Sequence, residues 1–405
     1  MRVFCLAPPG RVPGALTAHA FIDAELYSLA AEGVHIDILH RPDRPIGAID
    51  GVRAWPMAPP WPLPRGFARA LRAAAPRLVA APSRSILRAV AVEAMVAGII
   101  TASQSDLIHS HFGWPGGSGG AVAATLAGVP LVASLRGMDL SLVPRFRYGE
   151  RLARSFDVSI RHMLKRADRT LFFSDFMRRQ AVELGAVPSR TRMVPKGVDP
   201  AHFRPLTTIA EAKVRYAAGR PLAILWAGGL LPMKRPSLAL RCVAPLLRPL
   251  DAELIFCGEG VEREQVRSLA DSLGIGEYVS FLGRIPRDEM PHVYAAADVL
   301  LHTAILESSP NVFLEALACA TPVVCAAGGG APEFVRHEET GLVVNPDDED
   351  GITDAVRQLL VDPHRRARMG QAGRATIVQR HARHIETRSF LSVYSEVAPW
   401  ARTRR

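Results

Sequence analysis

A chain of 405 residues, 48% hydrophobic and 22% charged, has length for two or three domains with real cores and is no disordered or fibrous polymer. Lysine and arginine outnumber aspartate and glutamate by 49 to 39, and this basic excess points to anionic partners without choosing among nucleic acid, sugar nucleotides and acidic lipid. The five cysteines form no CxxC pair and sit in apolar runs, as reduced core thiols of a cytosolic protein do. The apolar part of MRVFCLAPPG is too short for a secretory signal, and the apolar stretch near 119–135 is broken by Gly128 and Pro130, so no membrane span is expected.

In chain order, RVFCLA (2–7) reads as a strand, 20–31 as a helix ending at Gly33, and VHIDIL (34–39) as an alternating strand. DLIHSHF (106–112), PLVASL (130–135) and RTLFFS (169–174) are further strands separated by helix-length segments. That rhythm implies βαβ units and a parallel sheet. The pattern pauses at KGVDPAHFRPL (196–206). It restarts with PLAILWAGG (221–229), ELIFCGEG (253–260), YVSFLG (278–283), DVLLHT (298–303) and PVVCAAGGG (322–330). Two doubly wound α/β domains joined near 200–210 follow, with a last helix over about 386–400.

Ligands of open parallel sheets bind outside the carboxyl ends of the strands, where glycine turns admit phosphate. Such glycines fall mostly in the second half: Gly228 and Gly229, Gly258 and Gly260, and 328–330. No GxGxxG follows the first strand and no GxxxxGK[ST] occurs, which sets aside dinucleotide and P-loop binding. Lys234 stands just before a helix, where its charge opposes the dipole unless an anion shares the place; a solvated surface lysine is the plainer alternative. In ESSPNVFLEALACATPVV (307–324), Glu307 falls at the carboxyl edge of the sheet. Ser309 before Pro310 is the expected N-cap of a helix over 311–320, and Glu315 lies inside that helix among apolar residues. A carboxylate there needs strong hydrogen bonds, from sugar hydroxyls or from the backbone.

Glu307 and Glu315 form an E-x7-E pair followed by A-L-A-C-A-T-P-V-V and by G-G-A-P-E at 329–333. G-x-L-x-x-x-K precedes it at 228–234, with F-C-G-E-G and F-L-G-R-I-P between. In this order and spacing the set resembles the retaining glycosyltransferases of family 4, which have the two-domain GT-B fold. PKGVDPAHFRP resembles that family's interdomain segment and IHSHF (108–112) its first-domain histidine motif, so the likeness covers nearly the whole chain. It implies two Rossmann-like doubly wound domains facing across a cleft. They would be an acceptor-binding domain over 1–203 and a donor-binding domain over 204–385, with a C-terminal helix, 386–405, packing back on the first.

The resemblance also implies roles. Glu307 would contact the donor sugar, Glu315 the ribose, and Lys234 the departing diphosphate beside the amides of Ser309, Asn311, Val312 and Phe313 and the turn Gly228–Gly229. Ile285 would lie near the base, His111 by the reacting sugar, and the turn at Pro13 and Gly14 would close over phosphates or acceptor. The family often has arginine where this chain has Gly229, and Arg235 is a neighbour that could compensate. The family's His-Gly before a first-domain Asp reads Arg136-Gly137-Met138-Asp139 here, a departure on the acceptor side. The expected reaction is retaining hexosyl transfer from a nucleotide-diphosphate sugar, a co-substrate, to a saccharide or polyprenyl- or lipid-linked acceptor in bacterial polysaccharide or glycolipid synthesis. No cofactor, metal or nucleic acid is expected, because a lysine and a helix start supply the positive field and the pair His109 and His111 lacks a third ligand. A sugar-nucleotide 2-epimerase of the same fold and an inactive sugar-nucleotide-binding protein are the alternatives; phosphorylases need a pyridoxal lysine and a much longer chain.

Between Asp50 and Glu93 there is no acid, while Arg53, Arg65, Arg69, Arg72, Arg77, Arg84 and Arg88 all fall there. With Trp55, Trp61 and Phe67, the stretch 55–90 reads as a peripheral docking face for an anionic membrane, as a solvated loop and helix of the acceptor domain, or as a grip on an anionic acceptor. A cytoplasmic protein, with or without contact to the inner face of the plasma membrane, is the expectation.

Overall fold

The computed structural model describes residues 1–7, 20–40, 49–56, 68, 72, 96, 97, 99, 100 and 103–399. The chain divides into two compact units, Met1–Pro195 with Glu386–Arg405, and Lys196–Ile385. The sequence reading placed its boundary at 203/204.

The first unit is built on the strands β1 (Arg2–Leu6), β2 (His35–His40), β3 (Val52–Pro56), β4 (Leu107–His111), β5 (Leu131–Ser134), β6 (Arg169–Phe172) and β7 (Thr191–Met193). They pair in parallel in the order β3-β2-β1-β4-β5-β6-β7. All five residues of β4 are buried, as expected of a central strand covered on both faces. One face packs Phe4, Ile108, Leu131, Ile160, Met163 and Phe172 together. The other packs Val3, Cys5, Ile22, Leu26, Ile36 and Leu107 with Phe390, Val393 and Tyr394 of the helix Arg383–Val397, so the C-terminal helix returns to the first sheet. Each large apolar side chain so buried contributes about 1.5–3 kcal/mol.

The second unit carries β8 (Leu222–Ala227), β9 (Ala252–Cys257), β10 (Val279–Gly283), β11 (Val299–His302), β12 (Val323–Ala326) and β13 (Gly341–Val344). These are again parallel, in the order β10-β9-β8-β11-β12-β13. Its core lies on both sides of the sheet, around Leu225, Tyr294, Phe313 and Leu317 on one side and Trp226, Phe256, Leu301 and Val356 on the other. In each sheet the strand order reverses once, between β1 and β4 and between β8 and β11, and at such a switch point the loops leaving the carboxyl ends diverge and open a crevice. Several loop glycines are there for packing. A Cβ at Gly258 would overlap the Gly228 carbonyl, one at Gly260 the Leu230 carbonyl, and one at Gly328 the Ile305 carbonyl. All five cysteines are free and buried. Among the described residues no helix is long and apolar enough to cross a membrane.

Candidate active site

The second unit's switch point gathers Lys234, His302 and Glu307. β11 ends at His302, and the Thr303 hydroxyl that follows lies 3.0 Å from the Lys234 carbonyl and 2.9 Å from the Arg235 carbonyl. The Ile305 amide donates to the Met233 carbonyl at 3.0 Å. Two loops are thereby stitched side by side, and the Lys234 ammonium pairs with Glu307 Oε1. His302 Nε2 lies 2.6 Å from the same oxygen. The imidazole is 3% exposed, parallel to Trp226 and edge-on to Phe313. On its other side Glu307 bridges to Gly329, and the Gly330 amide donates to the Glu307 carbonyl at 2.6 Å. Burial alone would raise the Glu307 carboxyl, but the ammonium and the imidazole outweigh it and hold it at about 2.

Glu315 has the opposite environment. Tyr294 donates its hydroxyl to Glu315 Oε2 at 3.0 Å, and burial raises this carboxyl against the pull of Arg287, Tyr294 and Lys196. Its hydrogen-bond partner is a buried tyrosine, which the sequence reading did not foresee. The helix beginning here runs Asn311–Ala318, shorter than expected, and Pro310 is its N-cap with no side-chain cap. Ser309 is therefore not the cap. Its carbonyl and hydroxyl are hydrogen-bonded by Lys196 Nζ at 2.6 and 3.1 Å, and the hydroxyl is committed to that ammonium. Phe313 is wholly buried in the core, Val312 packs at its edge, and Ile285 packs there too while its backbone reaches Cys257. Of Phe313, only the backbone is placed to meet a ligand.

Gly228 lies in a backbone region closed to most side chains, at φ 150°, but Gly229 has an ordinary φ, and the nearest atoms to a Cβ there are 3.5 Å away. The Arg235 guanidinium binds the Thr303 and Pro346 carbonyls at 2.9 and 2.6 Å and approaches Asp347 at 3.4 Å. Here it is a strut between two loops.

In the first unit, His111 ends β4 and Phe112 follows with φ 69°, an uncommon conformation for a bulky residue that turns the chain sharply at the sheet's carboxyl edge. Arg136 binds Glu25 through both terminal guanidinium nitrogens, at 2.9 and 2.6 Å, and reaches His111 Nδ1 at 2.8 Å. Asp139 is fully buried and accepts the backbone N–H groups of Gly113, Arg136 and Gly137 at 3.0, 3.1 and 2.8 Å. The Asp139 carboxylate thus holds the turn on the acceptor side. His109 is bonded to Tyr394 at 2.6 Å and Ser134 at 2.7 Å, and burial, with Arg136 beside it, lowers it to about 3, so it is a neutral core histidine. Among the described residues no three His, Cys, Asp or Glu side chains gather as a metal site. Pro13, Gly14 and the stretch 55–90, apart from 55, 56, 68 and 72, lie outside the described residues. Of those, the Trp55 indole donates to the buried Asp37 at 3.0 Å. Glu25, Lys196, Tyr294 and His302 escaped the sequence reading; only Lys196, inside the quoted PKGVDP segment, carried a usable signal.

The family model for glycosyl transferases group 1 matches residues 210–376, and that for a glycosyl transferase 4-like domain matches 21–197. A GDP-mannose-dependent alpha-(1-6)-phosphatidylinositol monomannoside mannosyltransferase of Mycobacterium tuberculosis is 32% identical over 345 residues, 81% of this chain and 86% of the relative. The chain belongs to the group 1 glycosyltransferases. A second relative of this glycosyltransferase, a D-inositol 3-phosphate glycosyltransferase of Acidothermus cellulolyticus, is 34% identical over 318 residues, 74% of this chain and 68% of the relative. Among solved structures, HepE of Anabaena in complex with UDP superposes with a TM-score of 0.75 at 19% identity, covering 98% of this chain and 100% of that one. Sucrose-phosphate synthase of Thermosynechococcus elongatus gives 0.77 at 19%, covering 98% of each. With the two parallel sheets, these likenesses establish the two-domain GT-B fold.

Proposed function

We propose that this glycosyltransferase transfers a hexosyl group with retention, and without a metal ion, from a nucleoside-diphosphate sugar to a polyol on a lipid-linked acceptor. The observation that carries it is the Lys234–Glu307–His302 cluster at the β8/β11 switch point. A carboxylate held at about 2 stays charged at every physiological pH and accepts hydrogen bonds from sugar hydroxyls. Tied to an ammonium and an imidazole, it is a poor nucleophile, which favours attack by the acceptor on the face the diphosphate vacates. Lys234 and the first amides of the helix Asn311–Ala318 supply positive field for the developing diphosphate charge, the role a metal would otherwise take. Gly229, with an ordinary φ and room around its Cα, leaves space for a longer side chain beside the phosphates. Glu315 with Tyr294 suits the ribose, and His111 is the first unit's reacting-side residue.

GDP-mannose and inositol-containing acceptors are the first substrates to try, because the two relatives are named for them. The purified protein, treated with EDTA, is incubated with GDP-mannose and phosphatidylinositol vesicles, and the new anomeric centre is read by NMR. An α-linked product at an undiminished rate is expected, with Glu307→Gln at least about a hundredfold slower. A β-linked product overturns retention, a rate lost to EDTA overturns metal independence, and near-normal turnover in Glu307→Gln overturns the site.

A further inference from the structure

Glu25 lies on the helix Ala20–Ala31, Arg136 in the turn after β5, and His111 at the end of β4, and their side chains are 2%, 4% and 1% exposed. The Arg136 guanidinium spans the other two. It holds both Glu25 oxygens, at 2.9 and 2.6 Å, and the nitrogen making the shorter bond also lies 2.8 Å from His111 Nδ1. A guanidinium has only donors, so Nδ1 must be the acceptor. The competing arrangement is an imidazolium donating Nδ1–H towards Glu25. That contact is 3.9 Å, and both Glu25 oxygens are already engaged by the guanidinium. The guanidinium is held in its plane by Phe173, 4.5 Å from its central carbon, and by Phe21 at 5.3 Å. Below it, the Arg136 and Gly137 amides are fixed on Asp139. The other groups around the cluster are His109, whose ring lies 4.3 Å from that of His111, Cys5 of β1, and Tyr394, bonded to His109. His109 is neutral and Cys5 is a protonated thiol, so neither competes with the guanidinium.

We propose that Arg136 is a positioning residue that fixes His111 as the neutral tautomer protonated on Nε2, so that this nitrogen donates a hydrogen bond to a sugar oxygen and cannot act as a base. The functional half of this rests on the reading of His111 given above. The tautomer itself is independent of it, and the two fail separately.

The test is long-range proton–nitrogen NMR on protein labelled at histidine, with His111 assigned by its loss in His111→Asn. The expected wild-type signature is an unprotonated Nδ1 and a protonated Nε2 throughout pH 6–8. Arg136→Lys, another donor-only cation, retains it. Arg136→Met loses it and lowers kcat about tenfold while the donor KM moves less than about threefold. If Arg136→Met strands Glu25 and does not fold, Glu25→Gln/Arg136→Met removes the buried charge and is read in its place. A wild-type Nδ1 that carries the proton, or a signature unchanged in the folded Met variant, overturns the proposal. Full turnover in His111→Asn overturns the reacting role of His111 and leaves the tautomer assignment standing.

Discussion

Replacing Lys234 with methionine keeps most of the side-chain volume and removes its charge from Glu307. Holding that carboxyl at about 2 instead of 4.5 corresponds to about 3 kcal/mol in favour of the charged form, and the pair is only 20% and 13% exposed, so solvent screens little of it. In the wild type the folded carboxyl lies below its unfolded value. Its contribution is therefore fully present above about pH 4.5 and is lost as pH falls towards 2. In Lys234→Met the burial that opposed the ammonium is left with only His302 against it, and the carboxyl rises. A buried carboxylate then costs stability above its raised folded value, and protonation returns that stability as pH falls. The loss in urea-unfolding free energy is expected to be about 2–3 kcal/mol at pH 7.5 and clearly smaller at pH 5, with the fluorescence of Trp226, parallel to His302, as local probe. An equal loss at both pH values would refute charge coupling and leave only the packing of the lysine stem.

Three further outcomes follow from the same geometry. Tyr294→Phe removes the hydroxyl that Glu315 accepts in a buried place; it should cost about 1–2 kcal/mol by thermal or urea unfolding and raise the donor KM, and an unchanged donor KM would detach Glu315 from the ligand. Gly258→Ala drives a methyl into the Gly228 carbonyl at a φ of 140° and should destabilise by more than about 2 kcal/mol. Gly229→Arg meets no such obstacle and should fold normally with a lower donor KM; a weaker donor in a stable variant would contradict the diphosphate position.

The strand rhythm carried five strands of each sheet, leaving out β3, β7 and β13, and the E-x7-E spacing pointed to Glu307, because period and loop position are local properties of the sequence. Glu307 at a strand's carboxyl edge was legible for that reason. Its partner His302 was not, since it ends a strand that reads as apolar core and only the fold turns it onto a carboxylate five residues on. Ser309 misled because Ser-Pro is a good local cap signal, and the ammonium that claims its hydroxyl is 113 residues away in the chain. Asp139 differs: the motif marks its position, but only the turn geometry reveals the three amides it accepts. Glu25 and Arg136 are 111 residues apart, and no spacing announces a pair of that kind.

The return of the last helix to the first sheet orders events during synthesis. Phe390, Val393, Tyr394 and Ala398 are core residues of the unit that begins at Met1, and Tyr394 is the partner of His109 in its central strand. Of the two units, the one made first is thus finished after the other. Until residue 398 emerges, one face of its sheet lacks its cover and exposes Val3, Ile36 and Leu107 to other chains. A chain released early would carry a finished second unit beside an unfinished first, sticky at the face where its histidine strand should be buried.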